Sequence, residues 1–156
     1  MKKIYVFDIQ GTIINGVDIG TLDEETLGSF FALLQEDSAS VELHFVSGLT
    51  HFEASDFISR IKDYLKQNNL DIKCDVHSFD DGVILADGGI DQDTTNRIDF
   101  IGKYVACEEA DICFVDDSGI NCDIVSSIFP EIRVINVSSS GLLENIFILK
   151  SFLKRV

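Results

Sequence analysis

The stretch KIYVFDIQGT, residues 3–12, decides the fold class of this chain. It opens with β-branched and aromatic residues that do not alternate with polar ones, ends on Asp8, and then turns through Gly11 and Thr12. An apolar run of this kind predicts a strand that is covered on both faces of a parallel sheet. Since ligands bind at the carboxyl ends of such strands, Asp8 is the first candidate functional residue.

Three further runs have the same character, at residues 41–46, 112–116 and 132–137. Amphipathic helical patterns separate them, and two of these patterns open with capping-box signatures, Thr21 to Glu24 and Thr50 to Glu53. Alternating strands and helices predict a doubly wound, Rossmann-like α/β fold, with a parallel sheet and helices on both of its faces.

Two dipeptides that favour tight turns interrupt this pattern. Asn15-Gly16 follows the opening loop, and Asp81-Gly82 separates the runs 75–79 and 83–86. We expect small β-hairpin appendages at both places. Proline occurs once, and no Ser- or Gly-rich linker or internal repeat divides the chain, so residues 1–156 are expected to form one domain.

Composition excludes several classes of function. A formal charge of −15, with no cluster of Lys or Arg, argues against nucleic acid and anionic membranes as partners. No apolar run reaches the roughly 18 residues of a membrane span, and Asp8 interrupts the apolar N-terminus too early for a signal peptide. We therefore expect a cytoplasmic protein whose four cysteines are reduced thiols without chemistry.

Polar side chains follow three of the predicted strands. IYVF ends on Asp8, LHFV on Ser47-Gly48 and ICFV on Asp116-Asp117. Taken singly, these could be an Asx-turn, a helix-approach hydroxyl and a helix N-cap. Parallel strands bring them to one edge of the sheet, where the gathered carboxylates would repel one another unless a cation or a basic side chain neutralised them. We expect a bound Mg²⁺ there.

The segments VFDIQGT, HFVSG and FVDDSGIN resemble the first, second and fourth motifs of the haloacid dehalogenase-like (HAD) superfamily. Its members are mostly Mg²⁺-dependent phosphohydrolases. The resemblance implies that Asp8 is a nucleophile that forms an aspartyl-phosphate, and that Ser47 hydrogen-bonds the phosphoryl group. It also implies that Asp117, helped by Asp116, binds Mg²⁺ together with Asp8 and the main-chain carbonyl of Gln10.

Further phosphate-binding candidates come from the loops and from the third motif of the superfamily. Gly11, Thr12 and Gly48 lie in loops where the backbone can approach a ligand closely. The third motif is a basic side chain ahead of FVDD. Arg97 is the candidate and Lys103 the alternative, although most members have a lysine, whose charge has a different geometry.

Gln10 departs from the usual pattern, which has an aspartic acid two residues after the nucleophile. An amide cannot exchange a proton usefully, and a positioned acid or base typically supplies roughly 10² to 10⁴ in rate. A substrate with a good leaving group, such as an acyl phosphate, would avoid this deficit. Another acid, for which His51 is a candidate, or a role limited to binding a phosphorylated ligand would also account for Gln10.

Three readings of function therefore follow from the sequence. The first is a capless Mg²⁺-dependent hydrolase of phosphate esters or acyl phosphates, with the added hypothesis that it closes its site by forming a homo-oligomer. The second is a catalytically impaired protein that binds a phosphorylated ligand or has a regulatory role. The third, a two-component receiver, is disfavoured because receivers carry their acidic pair after the first strand.

Overall fold

The computed structural model describes five stretches of the chain. Two sequence predictions fall at least partly outside them: the Asp81-Gly82 turn with the run 83–86, and the residues that follow Asn15 in the first predicted hairpin. Cys107 also lies outside. The described residues are 2–15, 19–35, 40–78, 92–105 and 109–153.

One five-stranded parallel sheet forms the centre of the molecule. Its strands are β1 (Lys3–Asp8), β2 (Val41–Ser47), β3 (Lys73–Ser78), β4 (Asp111–Asp116) and β5 (Arg133–Asn136). Their order across the sheet is β3-β2-β1-β4-β5, and each neighbouring pair is parallel. The four apolar runs are thus confirmed as parallel strands, but the fourth, β5, lies at an edge of the sheet, and its residues Arg133 and Asn136 are exposed.

Helices cover both faces of the sheet, as predicted. They are α1 (Glu24–Leu34), α2 (His51–Gln67), α3 (Gln92–Phe100, continued by a π turn at Ile101–Val105), α4 (Gly119–Ile128) and α5 (Leu142–Leu153). One core cluster packs α1, α2 and α5 on one face, and a second packs α3, its π turn and α4 on the other. The two groups of helices lie on different faces because the right-handed crossovers from β1 toward β3 run across the sheet in one direction, and the crossover from β4 to β5 runs in the other.

The first turns of the helices show how well local signals predict helix starts. At α2 the predicted capping box is present, with Thr50 and Glu53 each accepting from the other's backbone N–H. At α1 the prediction was wrong in detail. Thr21 ends a short 3₁₀ turn, and Asp23 is the N-cap, whose carboxylate accepts from the backbone N–H of Thr26 at 2.7 Å. An aspartate is as good an N-cap as a threonine, so the later residue can cap the helix.

The described part of the run predicted at residues 75–79, residues 75–78, belongs to the central sheet, whereas the turn and the second arm of the predicted hairpin lie outside the described residues. Residues 73–78 form β3, one of the two edge strands, which pairs in parallel with β2. An edge strand is less enclosed than the central ones, which explains why its apolar residues Cys74 and Val76 alternate with Asp75 and His77. That alternation resembles the sequence of a hairpin arm.

Within the described ranges, every strand belongs to this one sheet, and no cap domain covers its carboxyl edge. None of the helices described is both long enough and apolar enough to cross a membrane. Among the described residues, loops bound the carboxyl edge of the sheet, and they follow β1, β2, β4 and β5.

Candidate functional site

The candidate site lies where the strand order reverses. β1 and β4 are neighbours at the centre of the sheet, yet the chain leaves β1 toward β2 on one side and leaves β4 toward β5 on the other. The loops therefore diverge and open a crevice at the carboxyl ends of these two strands, the usual position of a ligand in open α/β sheets. Asp8 ends β1 and Asp116 ends β4.

Three carboxylates converge in this crevice, as the sequence predicted. One oxygen from each of Asp8, Asp116 and Asp117 lies within 4.8 Å of the other two. Asp8 is 4% and Asp116 1% exposed, whereas Asp117 is half-buried at the mouth. Clustered carboxylate oxygens are the ligands that hard divalent cations such as Mg²⁺ take up, so the donor set fits that ion.

Arg97 reaches this cluster from α3. Its guanidinium donates from Nη2 to Oδ1 of Asp8 at 2.5 Å, and its Nε lies 3.3 Å from Oδ2 of Asp116. The side chain is only 3% exposed. Lys103, the alternative, is an exposed residue of the π turn and lines a different cavity. The structure thus places Arg97, and not Lys103, beside the candidate nucleophile.

The electrostatics of the cluster indicate a shortage of positive charge. Burial raises the pKa of Asp8 well above its usual value, and the neighbouring Asp116 raises it further, while Arg97 opposes both effects. Burial likewise raises the pKa of Asp116 to about 6, against the opposing influence of Arg97. One guanidinium does not offset the burial of these carboxylates and their mutual repulsion, so a bound cation would stabilise them.

The loop after β1 forms one wall of the crevice. Gln10 is exposed and lines a cavity of about 180 Å³ together with the three aspartates and Arg97. The hydroxyl of Thr12 lies 3.2 Å from Oδ2 of Asp8 and 3.4 Å from Oδ1 of Asp117. Thr12 therefore donates between the two carboxylates and helps to hold them at a fixed separation.

Ser47 ends β2, the strand beside β1, and Gly48 follows it, but neither is among the described residues that line the acidic cavity. Ser47 is fully buried, and its hydroxyl accepts a hydrogen bond from the backbone N–H of Leu49 at 3.1 Å. Gly48 is exposed in the loop to α2. Their roles in binding phosphate remain predictions.

Asn121 is a site residue that the sequence reasoning missed. Its Nδ2 donates to Oδ2 of Asp116 at 3.0 Å, and its Oδ1 accepts from the hydroxyl of Thr94 on α3 at 2.5 Å. The N-cap of α4 is Ser118, not Asp116 or Asp117, and its hydroxyl accepts from the backbone N–H of Asn121 at 3.2 Å. A serine followed three residues later by asparagine was the available signal.

Asn145 on α5 was also missed, although it holds the loop after β1. This buried amide donates to the carbonyls of Thr12 at 2.9 Å and Ser138 at 2.7 Å, and accepts from the N–H of Ser138 at 2.9 Å. Next to it, the N–H of Gly141 donates to the carbonyl of Gly11 at 2.8 Å. A polar residue between the apolar positions Leu142 and Ile146 was the only signal in the sequence.

The histidine considered as a substitute acid lies elsewhere. His51 begins α2 and lines a second cavity, of about 650 Å³, together with His77 and Lys103. No histidine is among the described residues that line the acidic cavity.

Comparison with family models and curated proteins identifies no relative of this chain. No family model matches the chain, and no curated protein matches it either. The resemblance to the HAD superfamily therefore rests on the motifs, and the geometry of the site has to support any function on its own.

Proposed function

We propose that this protein is an HAD-like, Mg²⁺-dependent hydrolase of acyl phosphates or phosphate esters that works through an aspartyl-phosphate on Asp8. The observation that carries the proposal is the convergence of Asp8, Asp116 and Asp117 at the switch point of the sheet, with Arg97 buried against them. Asp8 and Arg97 meet although they are 89 residues apart in the sequence, and they do so at the position where α/β sheets bind ligands.

Asp8 is the nucleophile in this mechanism. Its carboxylate oxygen forms a bond to phosphorus while the bond from phosphorus to the leaving oxygen breaks. Water then attacks the phosphorus, which releases inorganic phosphate and regenerates the carboxylate. Arg97 pairs with Oδ1 of Asp8 and Thr12 lies beside Oδ2, so the carboxylate is oriented before a substrate arrives.

Mg²⁺ would be held by the carboxylates of Asp8, Asp116 and Asp117 and by the main-chain carbonyl of Gln10. When bound, Mg²⁺ offsets the repulsion between an anionic nucleophile and an anionic phosphoryl group. Arg97 supplies a second, permanent positive charge next to Asp8, and Asn121 fixes the rotamer of Asp116. A cation is needed because more carboxylates are buried in the cluster than the single guanidinium of Arg97 can neutralise.

Gln10 determines which substrates suit this site. It lines the acidic cavity but cannot protonate a leaving oxygen. An acyl phosphate needs no such proton, because its carboxylate leaving group departs as a stable anion. An alkyl phosphate leaves as a strongly basic alkoxide and needs the missing acid. Acyl phosphates are therefore the preferred class.

The test compares Mg²⁺-dependent hydrolysis of acetyl phosphate and an aryl phosphate by the native chain, Gln10→Asp and Asp8→Asn. We expect the native chain to hydrolyse acetyl phosphate and Asp8→Asn to be inactive. Gln10→Asp should accelerate hydrolysis of the ester by roughly 10²-fold or more and that of acetyl phosphate much less. If Asp8→Asn still hydrolyses both acetyl phosphate and the aryl phosphate, the proposal is wrong.

The position of Gln10 also favours a second candidate function, a protein that binds a phosphorylated ligand without hydrolysing it. If only Gln10→Asp shows turnover, the native chain is such a binding protein. A receiver domain is less well supported, because in receivers the third strand pairs with the first, whereas here β1 lies between β2 and β4.

A further inference from the structure

Helix α5 is apolar on more of its circumference than the core requires. Eight of its 12 residues are Leu, Ile or Phe, yet only three of these, Leu142, Ile146 and Leu149, are buried. Leu143 is 66% and Phe147 73% exposed. A helix that is apolar all round is normally buried all round. The exposed side of α5 therefore has the character of a surface that another molecule covers.

Four exposed residues form this surface, which we call the outer face of α5: Leu143, Glu144, Phe147 and Lys150. Leu143 and Phe147 are four residues apart, so they lie one above the other on the same side of the helix. Glu144 precedes Phe147 by three residues and Lys150 follows it by three, a spacing that makes both of them its neighbours on the helix surface. The outer face is thus an apolar pair flanked by one negative and one positive charge.

The outer face also differs in charge from the molecule as a whole. The chain carries a formal charge of −15, whereas one Glu and one Lys leave α5 neutral. Two copies of a strongly acidic chain repel each other over most of their surfaces. Since charges more than about 8 Å apart are largely screened at physiological ionic strength, the local charge decides which surfaces can meet. Two copies can therefore approach each other through α5.

Helix α4 exposes apolar residues as well, but its charge does not suit a second copy. Ile120 and Ile128 are both exposed. The one charged residue in the sequence of this helix is Asp123, which is exposed too. A symmetric pair of α4 helices would bring two carboxylates together without a basic residue from either helix. The outer face of α5, in contrast, supplies both signs.

We propose that the outer face of α5 binds the same face of a second copy of this chain and forms a two-fold symmetric dimer. In a two-fold interface every contact between two different residues is made twice. Glu144 pairs with the partner's Lys150 and Lys150 with the partner's Glu144, while Leu143 and Phe147 are buried between the helices. None of these residues is among those that line the acidic cavity, so the inference does not depend on the proposed function.

The size of the surface sets the strength of the dimer. A helix of 12 residues is only about 18 Å long. One pair of such helices covers less than the roughly 1,200 Å² that stable interfaces bury, which places this contact among weak, reversible ones. The chain should therefore be monomeric near 1 µM, where about 8 kcal/mol would be needed to hold a dimer, and should associate at higher concentration.

Sedimentation equilibrium of the full chain tests the dimer. As the concentration rises from about 1 to about 500 µM, we expect the average mass to increase from 17.3 kDa toward twice that value and not beyond it. A mass that stays at 17.3 kDa over the whole range would overturn the proposal. So would a mass that rises past the dimer, because it would indicate an open, heterologous assembly.

Two matched substitutions locate the interface. Phe147→Asp places a carboxylate between the helices and should weaken the dimer by about 30-fold or more, a loss typical of a central interface residue. Phe52→Asp adds the same charge on α2, at a side chain that is 75% exposed, and should leave the dissociation constant unchanged. Because both residues are exposed in the monomer, both variants should keep the native midpoint of urea unfolding near 1 µM. Equal effects on association would place the interface elsewhere and overturn the proposal.

Charge reversal tests the symmetry of the contact. Glu144→Lys and Lys150→Glu each convert two ion pairs into two like-charge contacts, so each should weaken the dimer by roughly 10-fold. Glu144→Lys also reduces the net negative charge, so a weaker dimer in this variant cannot result from general repulsion. The double variant restores opposite charges and should recover the native dissociation constant. A double variant that dimerises no better than either single one would refute the pairing of Glu144 with the partner's Lys150.

Discussion

Gly11 lies directly against Asp117. A Cβ atom on Gly11 would be 2.3 Å from Oδ2 of Asp117, and the backbone of Gly11 has a φ of +82°. The left-handed conformation alone costs an L-residue about 1 to 2 kcal/mol. The carboxylate of Asp117 can therefore keep its position beside the loop after β1 only because residue 11 has no side chain.

We expect Gly11→Ala to lower the free energy of unfolding by more than this backbone cost and to displace Asp117 from the cluster. Urea unfolding and Mg²⁺-induced thermal stabilisation measure the two effects. Gly102→Ala is a matched control, because its Cβ would meet Phe129 at an ordinary contact distance of 3.6 Å. A Gly11→Ala variant as stable and as responsive to Mg²⁺ as the native chain would contradict this packing.

Arg97→Met should destabilise the metal-free protein strongly. The guanidinium is buried against Asp8 and Asp116, and removal of one partner from a buried ion pair typically costs about 3 to 5 kcal/mol. We expect added Mg²⁺ to recover part of this loss, since it would supply the missing positive charge. Urea unfolding with and without Mg²⁺ measures both quantities.

Lys103→Met is the matched control for Arg97, because Lys103 is an exposed basic residue of the neighbouring π turn. Its unfolding free energy should stay within about 0.5 kcal/mol of the native value. Equal effects of the two substitutions would show that Arg97 acts only as a surface charge.

Asn121→Leu should weaken Mg²⁺ binding about 10-fold or more without removing any proposed ligand. Asn121 donates to Oδ2 of Asp116, and loss of a residue that orients a metal ligand typically costs 10- to 100-fold in affinity. Calorimetric titration with Mg²⁺ gives the dissociation constant. Asp123→Asn, an exposed position on the same helix, serves as the control. An unchanged affinity in Asn121→Leu would mean that Asp116 does not need this partner.

Glu42 should contribute to stability in a pH-dependent way. The hydrogen bonds from Lys2, His44 and Lys73 overcome the effect of burial and lower its pKa from 4.5 to about 2 in the folded chain. A lowered pKa means that the contribution is fully present above pH 4.5 and is lost as the pH falls toward 2. We expect Glu42→Gln to flatten the stability profile across this window.

Urea unfolding at several pH values between 2 and 7 measures the two profiles. Glu144→Gln, an exposed substitution on α5, should follow the native profile. If Glu42→Gln and the native chain lose stability in parallel below pH 4.5, Glu42 is not the residue responsible for the acid sensitivity.

Local patterns in the sequence were sufficient for much of the fold. The central strands could be predicted because burial on both faces requires continuous apolar runs, and Thr50 with Glu53 predicted the start of α2 because a capping box is a contact between near neighbours. The pairing of β3 with β2 was not predicted, because the alternation of an edge strand resembles that of a hairpin arm. Which strand it pairs with is a long-range property that alternation does not encode.

The residues of the candidate site also fall into two groups, those that the sequence predicted and those that it did not. The sequence by itself determined that Asp8 and Asp116-Asp117 lie at the ends of buried parallel strands. Parallel strands at the centre of a sheet have their carboxyl ends at the same edge, so these carboxylates meet in one crevice. It left Arg97 and Lys103 as alternatives and gave no role to Asn121 or Asn145.

Only the tertiary structure decided these points, because each depends on a partner far away in the chain. Arg97 meets Asp8 across 89 residues, and Asn145 meets Thr12 across 133. Such contacts are set by the packing of α3 and α5 on opposite faces of the sheet. The local sequence specifies the strand that carries each carboxylate, whereas the packed helices select the side chains that neutralise and orient it.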